Sequence, residues 1–239
     1  MPLHQLKSLS RDRLADFLAD NLAHLNEDET LAVLENPHLT PKVCQAIAQN
    51  QRLAAFHSVR VKLVALRQTP QAHAVKLVHY LYWTDLVRLS VDVTVPATVR
   101  RAIDTVLLTR INKLTLGERI TSARRCSAAL IKVFLFDSDP RVFAALLVNQ
   151  RLREDDLILL ASSPQAPVEN LRKLGGDHKW SYRYAIRKAL VLNSLTPRSV
   201  AASQLRFLSR RDLVSIHENP STSTYLRRCI ERMQQQELA

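Results

Sequence analysis

Ala145-Leu146-Leu147-Val148-Asn149 returns further along the chain as Ala189-Leu190-Val191-Leu192-Asn193. Each is an apolar block closed by asparagine, and each leads into another block. The first is followed by Leu152 and a predicted helix from Glu154, the second by Leu195-Thr196-Pro197 and a further predicted helix. Lys62-Leu63-Val64-Ala65-Leu66, running into Thr69-Pro70, is a looser copy. Arg100-Arg101-Ala102-Ile103 and Arg227-Arg228-Cys229-Ile230 form another pair, each after a proline-opened turn. Recurrence of one short unit along a chain is the mark of stacked repeats.

The units read as helices. Val99, Ala102, Ile103, Val106 and Leu107 follow the three-and-four spacing of one helical face, and Ile186, Ala189, Leu190 and Asn193 do the same. Proline supplies the punctuation. In Thr40-Pro41, Thr69-Pro70 and Thr196-Pro197 a hydroxyl is available to cap a helix, with proline in the first turn, where its missing N–H costs nothing. Asp139-Pro140 offers a carboxylate in the same role. Asn36-Pro37, Val95-Pro96, Ser163-Pro164, Pro167 and Asn219-Pro220 mark the other breaks. Leu89 to Val93 alternates like a strand but has no partner, and it reads as a helix end entering the loop before Pro96. The fold class is all-α.

These residues, with the loop Asn36-Pro37-His38-Leu39-Thr40-Pro41, resemble the HEAT-like and leucine-rich-repeat-variant α-solenoid families. The resemblance implies a right-handed α-α superhelix of helix pairs with a concave face, and a scaffold for binding rather than one fixed activity. Residues 1–26 read as an N-terminal capping region and residues 27–239 as one continuous repeat domain. In the cap, Leu14, Phe17, Leu18 and Leu22 share one side of a helix predicted from Asp12 to Leu25. Unlike the metal-carrying relatives of the variant repeat, the chain has no cysteine cluster, so no iron–sulfur site is implied.

Lys and Arg total 34 against 22 Asp and Glu, for a formal charge of +12. Residues 59–135 carry 13 basic and 4 acidic side chains, residues 136–239 carry 16 and 11, and residues 1–58 carry 5 and 7. Such an excess suits an anionic partner, and equally serves solubility and pairing between helices. Two groups are the candidate anion- or partner-binding residues. In His178 to Lys188, read as helical, Lys179, Arg183 and Arg187 step by four, with Trp180, Tyr184 and Lys188 beside them. Basic and aromatic side chains so interleaved suit a phosphate backbone with exposed bases. The competing reading makes Trp180 and Tyr184 packing anchors with arginine stems over them. Arg100, Arg101, Arg124 and Arg125 are the second group.

Catalytic and cofactor signatures are missing. Only three glycines are present, Gly117, Gly175 and Gly176, and they do not fall at the short fixed spacing that a phosphate loop or a dinucleotide fingerprint needs. No paired-histidine zinc motif or Gly-x-Ser-x-Gly elbow occurs, and the histidines are scattered singly. No metal and no small-molecule cofactor is expected. Cys44, Cys126 and Cys229 lie far apart, at apolar helical positions, and read as buried thiols of a cytoplasmic protein. Met1 to Ser10 lacks an export signal layout, and no apolar run suits a membrane span. The expected function is a non-enzymatic scaffold for a macromolecular partner, a protein, with nucleic-acid binding through phosphate contacts as the alternative. A third reading is DNA base excision, from the likeness in size and basicity to HEAT-like glycosylases. There, Trp83 with Asp85, or Trp180 with Asp104 or Asp139, would be the aromatic and acidic groups. Asp85 reads equally as a helix cap.

Overall fold

A computed structural model describes residues 2–238, apart from the side chains of residues 237 and 238. Among the described residues are seventeen α-helices, two short 3-10 turns and no strand, so the chain is all-α. Its contacts divide it into two units, Met1–Lys113 and Leu114–Ala239. The first holds α1 (Leu3–Leu6), α2 (Arg11–Asn21), α3 (Glu27–Leu34), α4 (Pro41–Gln49), α5 (His57–Ala65), α6 (Gln71–Val78), α7 (Trp83–Ser90) and α8 (Ala97–Arg110). The second holds α9 (Leu116–Ala123), α10 (Ala128–Phe134), α11 (Pro140–Leu147), α12 (Glu154–Ser162), α13 (Val168–Gly176), α14 (Tyr184–Leu192), α15 (Arg198–Leu205), α16 (Arg210–Glu218) and α17 (Thr224–Leu238). The segment 1–26 lies within the first unit, where Leu14 and Leu18 of α2 are buried.

Local chemistry starts several of these helices where the sequence says they start, while the helix predicted from Asp12 to Leu25 is the shorter Arg11–Asn21. Thr40 and Asp139 cap α4 and α11, accepting the N–H of Val43 and of Arg141, and proline follows each in the first turn. Asn26 with Glu29, and Thr115 with Glu118, form reciprocal capping boxes at α3 and α9. Thr69 and Thr196 do not cap. Pro70 and Pro197 themselves occupy the cap positions of α6 and α15, and the threonine side chains are buried at 3% and 6% exposure. Each helix begins one residue later than the Thr-Pro pattern predicts, because the hydroxyl-bearing side chain is spent on packing.

Within each unit, helices pack on their next-but-one neighbours. In the first unit α1 lies on α3, α3 on α5, and α6 on α8. In the second, α9, α11, α13, α15 and α17 form one such row, and α12 packs on α14 beside it. Asparagines, buried at positions 36, 149 and 170 and half-buried at 193, latch the rows. A helix leaves its last carbonyls without partners of its own. Asn149, just after α11, donates its amide to the carbonyls of Ala123 at 2.8 Å and Cys126 at 3.4 Å, at the end of α9. Its oxygen accepts the Arg151 N–H at 2.8 Å, which shapes the turn that follows. Asn193 repeats this after α14, bonding the Ala161 and Ser163 carbonyls at the end of α12 and the Leu195 N–H. Asn36 does the same after α3, on Leu6, Leu9 and the His38 N–H. Asn170, in the first turn of α13, bonds the carbonyls of Leu135 and Asp137.

In the first unit arginine shares this work. Arg52 donates to the Leu25 carbonyl at 2.6 Å, Arg110 to that of Leu81 at 3.0 Å, and Arg67 to that of Thr94 at 3.0 Å. Part of the basic excess therefore satisfies backbone carbonyls in the loops after α2, α6 and α7. The second unit ends in an apolar cluster of Val191, Ala201, Leu205, Leu208, Leu213, Ile216, Leu226 and Ile230. Burying each of the larger side chains contributes about 1.5–3 kcal/mol.

Candidate partner-binding surface

The run His178 to Lys188 is not one helix. Asp177 Oδ1 accepts the N–H groups of Lys179 at 2.9 Å and Trp180 at 3.0 Å, and its carbonyl accepts that of Ser181 at 2.8 Å. A short acceptor side chain thereby bends the chain into a turn, and α14 starts only at Tyr184. The predicted stripe of Lys179, Arg183 and Arg187 loses its helical basis. Trp180 is 5% exposed, and its indole N–H donates to the Leu147 carbonyl at 3.3 Å, so it is a packing anchor. The Lys179 ammonium sits 4.7 Å from the centre of that ring.

The remaining members are fixed by neighbours. Arg183 pairs with Glu154 at 3.1 Å. Lys188 pairs with Asp212 at 2.8 Å, and Asp212 also accepts the Tyr184 hydroxyl. Lys188, then Tyr184 and Ser209, hold the Asp212 carboxyl down at about 2. Arg187 donates through Nε to the Ser181 carbonyl at 2.7 Å and lies over Phe207, its guanidinium carbon 3.7 Å from the ring centre. Arg206 approaches the same ring at 4.7 Å. Phe207 is 41% exposed and Tyr182 is 57% exposed, with Arg183 over the Tyr182 ring. The sequence reading missed Phe207 and Arg206. The signal that pointed their way is the basic run Arg206-Phe207-Leu208-Ser209-Arg210-Arg211, but its meeting with Arg187 depends on how α14 and α15 pack.

Arg124 and Arg125 are exposed at the end of α9, where a cation suits the negative end of the helix dipole. Arg100 and Arg101 lie on α8 in the first unit, the former half-buried and the latter exposed. That unit carries a second aromatic group. Tyr80 and Tyr82 are 65% and 66% exposed beside α7, Arg60 reaches over Tyr80, and the His57 ring lies 4.1 Å from that of Tyr82. Asp85 bonds His57 Nε2 at 2.8 Å and Arg88 at 3.5 Å instead of capping α7. A shallow cleft of about 400 Å³ lies nearby, lined by Gln49, Gln51, Arg60 and Tyr80 among others.

Burial pushes the Cys44 thiol up to about 11, which keeps it protonated and unreactive at neutral pH. Asp139 is held at about 2 by its hydrogen bonds from Arg141. Among the described residues, no three His, Cys, Asp or Glu side chains come together to hold a metal ion, and no helix is long and apolar enough to cross a membrane. No protein-family model, no curated protein and no solved structure matches the chain.

Proposed function

We propose that the chain is a non-enzymatic helical-repeat scaffold of the HEAT-like, leucine-rich-repeat-variant kind, with each unit a piece of right-handed superhelix that docks a protein partner. The observation that carries this reading is the asparagine latch. The same side chain makes the same bonds at Asn36, Asn149 and Asn193, as expected of one structural unit used repeatedly. Repeats of this kind build extended surfaces, and exposed aromatic side chains such as Tyr80, Tyr82, Tyr182 and Phe207 are the residue types that anchor protein interfaces. The test is affinity capture with the intact chain, read by quantitative mass spectrometry. A defined set of proteins should be retained, and Y80S/Y82S or F207S, folded as the parent by circular dichroism, should lose it. Equal retention by all three removes the reading.

The alternative partner is nucleic acid, favoured by the charge of residues 114–239, which carry 20 basic and 12 acidic side chains. Phosphate binding would weaken steeply with salt, as a titration of labelled duplex and single strand would show. Base excision has less support. Asp85 is engaged by His57 and Arg88, and Asp139 by Arg141, and incubation with alkylated DNA is expected to release no free base.

A further inference from the structure

Most of the well-fixed cations in the second unit have a carboxylate of their own. Arg119 has Asp137 at 2.6 Å, Arg141 has Asp139, Arg183 has Glu154, and Lys188 has Asp212. Arg187 differs. Its Nε is tied to the Ser181 carbonyl and its guanidinium carbon sits over the Phe207 ring, so the guanidinium is fixed at two points. Yet among the described residues no carboxylate pairs with it, and its two terminal nitrogens have no hydrogen-bond partner. Arg206 flanks the same ring, exposed and, among the described residues, without an ion pair. Arg210 and Arg211 open α16, the end of a helix where the dipole disfavours positive charge. The one acid of that turn, Asp212, is already taken by Lys188 and Tyr184.

A fold that immobilises a guanidinium without neutralising it bears a cost that an anionic ligand recovers. The rotamer freedom is already spent, and the planar fork of donors stands ready for a two-point contact. The surroundings decide which anion. Guanidinium groups lie over both Phe207 and Tyr182, and Trp180 is buried, which leaves the Tyr184 ring as the aromatic face of this group without a cation over it. Glu154 and Asp212 stand among the cations and would meet a continuous phosphate backbone with like charge. Separate carboxylates on a peptide can take the gaps between them. We propose that Arg187 and Arg206 on Phe207, with Arg210 and Arg211, form a docking site for an acidic segment of a partner protein. This rests on the scaffold reading above and names the chemistry of its partner.

The test is fluorescence anisotropy on the full chain, with a labelled Glu/Asp-rich peptide and a labelled single-stranded oligonucleotide of equal formal charge. The peptide should bind at least as tightly as the oligonucleotide. R206A, and R187K, which keeps the charge but loses the planar stack, should each weaken peptide binding roughly tenfold, with thermal melts like the parent's. Should R187K destabilise the chain, R206A alone carries the measurement. Tighter binding of the oligonucleotide, or peptide binding indifferent to R206A, overturns the proposal. If neither probe binds, the acidic-partner proposal fails, while retention of a Tyr80- and Tyr82-dependent partner in the capture experiment would leave the scaffold standing.

Discussion

Replacing Asn149 with alanine removes an amide that serves two carbonyls and a turn N–H inside the protein. Buried groups that lose their partners cost about 1–3 kcal/mol each, so N149A should lose about 3 kcal/mol in urea unfolding. Asn50 is the control. Its oxygen bonds only the nearby N–H groups of Arg52 and Leu53, close to solvent, and N50A should cost under about 1 kcal/mol. The thiols separate in the same way. Cys44 and Cys126 are buried and Cys229 is half-buried, so an alkylating agent on the folded chain should label Cys229 first, with the other two following only on unfolding. Labelling of Cys44 as fast as Cys229 would contradict its burial.

Between elements, Gly175 of α13 lies close against α15, where an added Cβ would run into the Val200 side chain. Alanine is favoured over glycine in a helix by about 1 kcal/mol, but overpacking costs about 1–3 kcal/mol, so G175A should destabilise. V200A added to it should recover most of the loss, and thermal melts of the single and double variants read the difference. Element scale is also where legibility in the sequence divides. Apolar spacing and proline breaks gave the helical class and the start of α12 at Glu154, because both are local. The Asp177 turn was not legible, since His178 to Lys188 fits helical spacing and a single carboxylate upstream overrides it. Thr69 and Thr196 have the sequence of caps, yet packing takes their side chains. Asn149 and Asn193 were visible as a recurring pair, while their partners at the ends of α9 and α12 are set by tertiary stacking.

Over the whole chain, the carboxylates whose charged form is held by hydrogen bonds should make the fold sensitive to acid. Asp139 and Asp212 titrate at about 2 when folded, against an ordinary 3.8, and Asp92 and Glu35 are also lowered, by Thr94 and by Lys7. The folded chain binds fewer protons there, so the stability these groups contribute is complete above about pH 4 and drains away as pH falls towards 2. D212N should flatten that part of the urea midpoint against pH curve, and an unchanged slope would show that Asp212 carries none of it. The latches also bear on how the chain is made. Each joins a residue to a helix end only a few dozen positions earlier, so closure entropy stays small. A nascent polypeptide leaving the ribosome can therefore fasten each coil as soon as the next emerges, without waiting for the C-terminus.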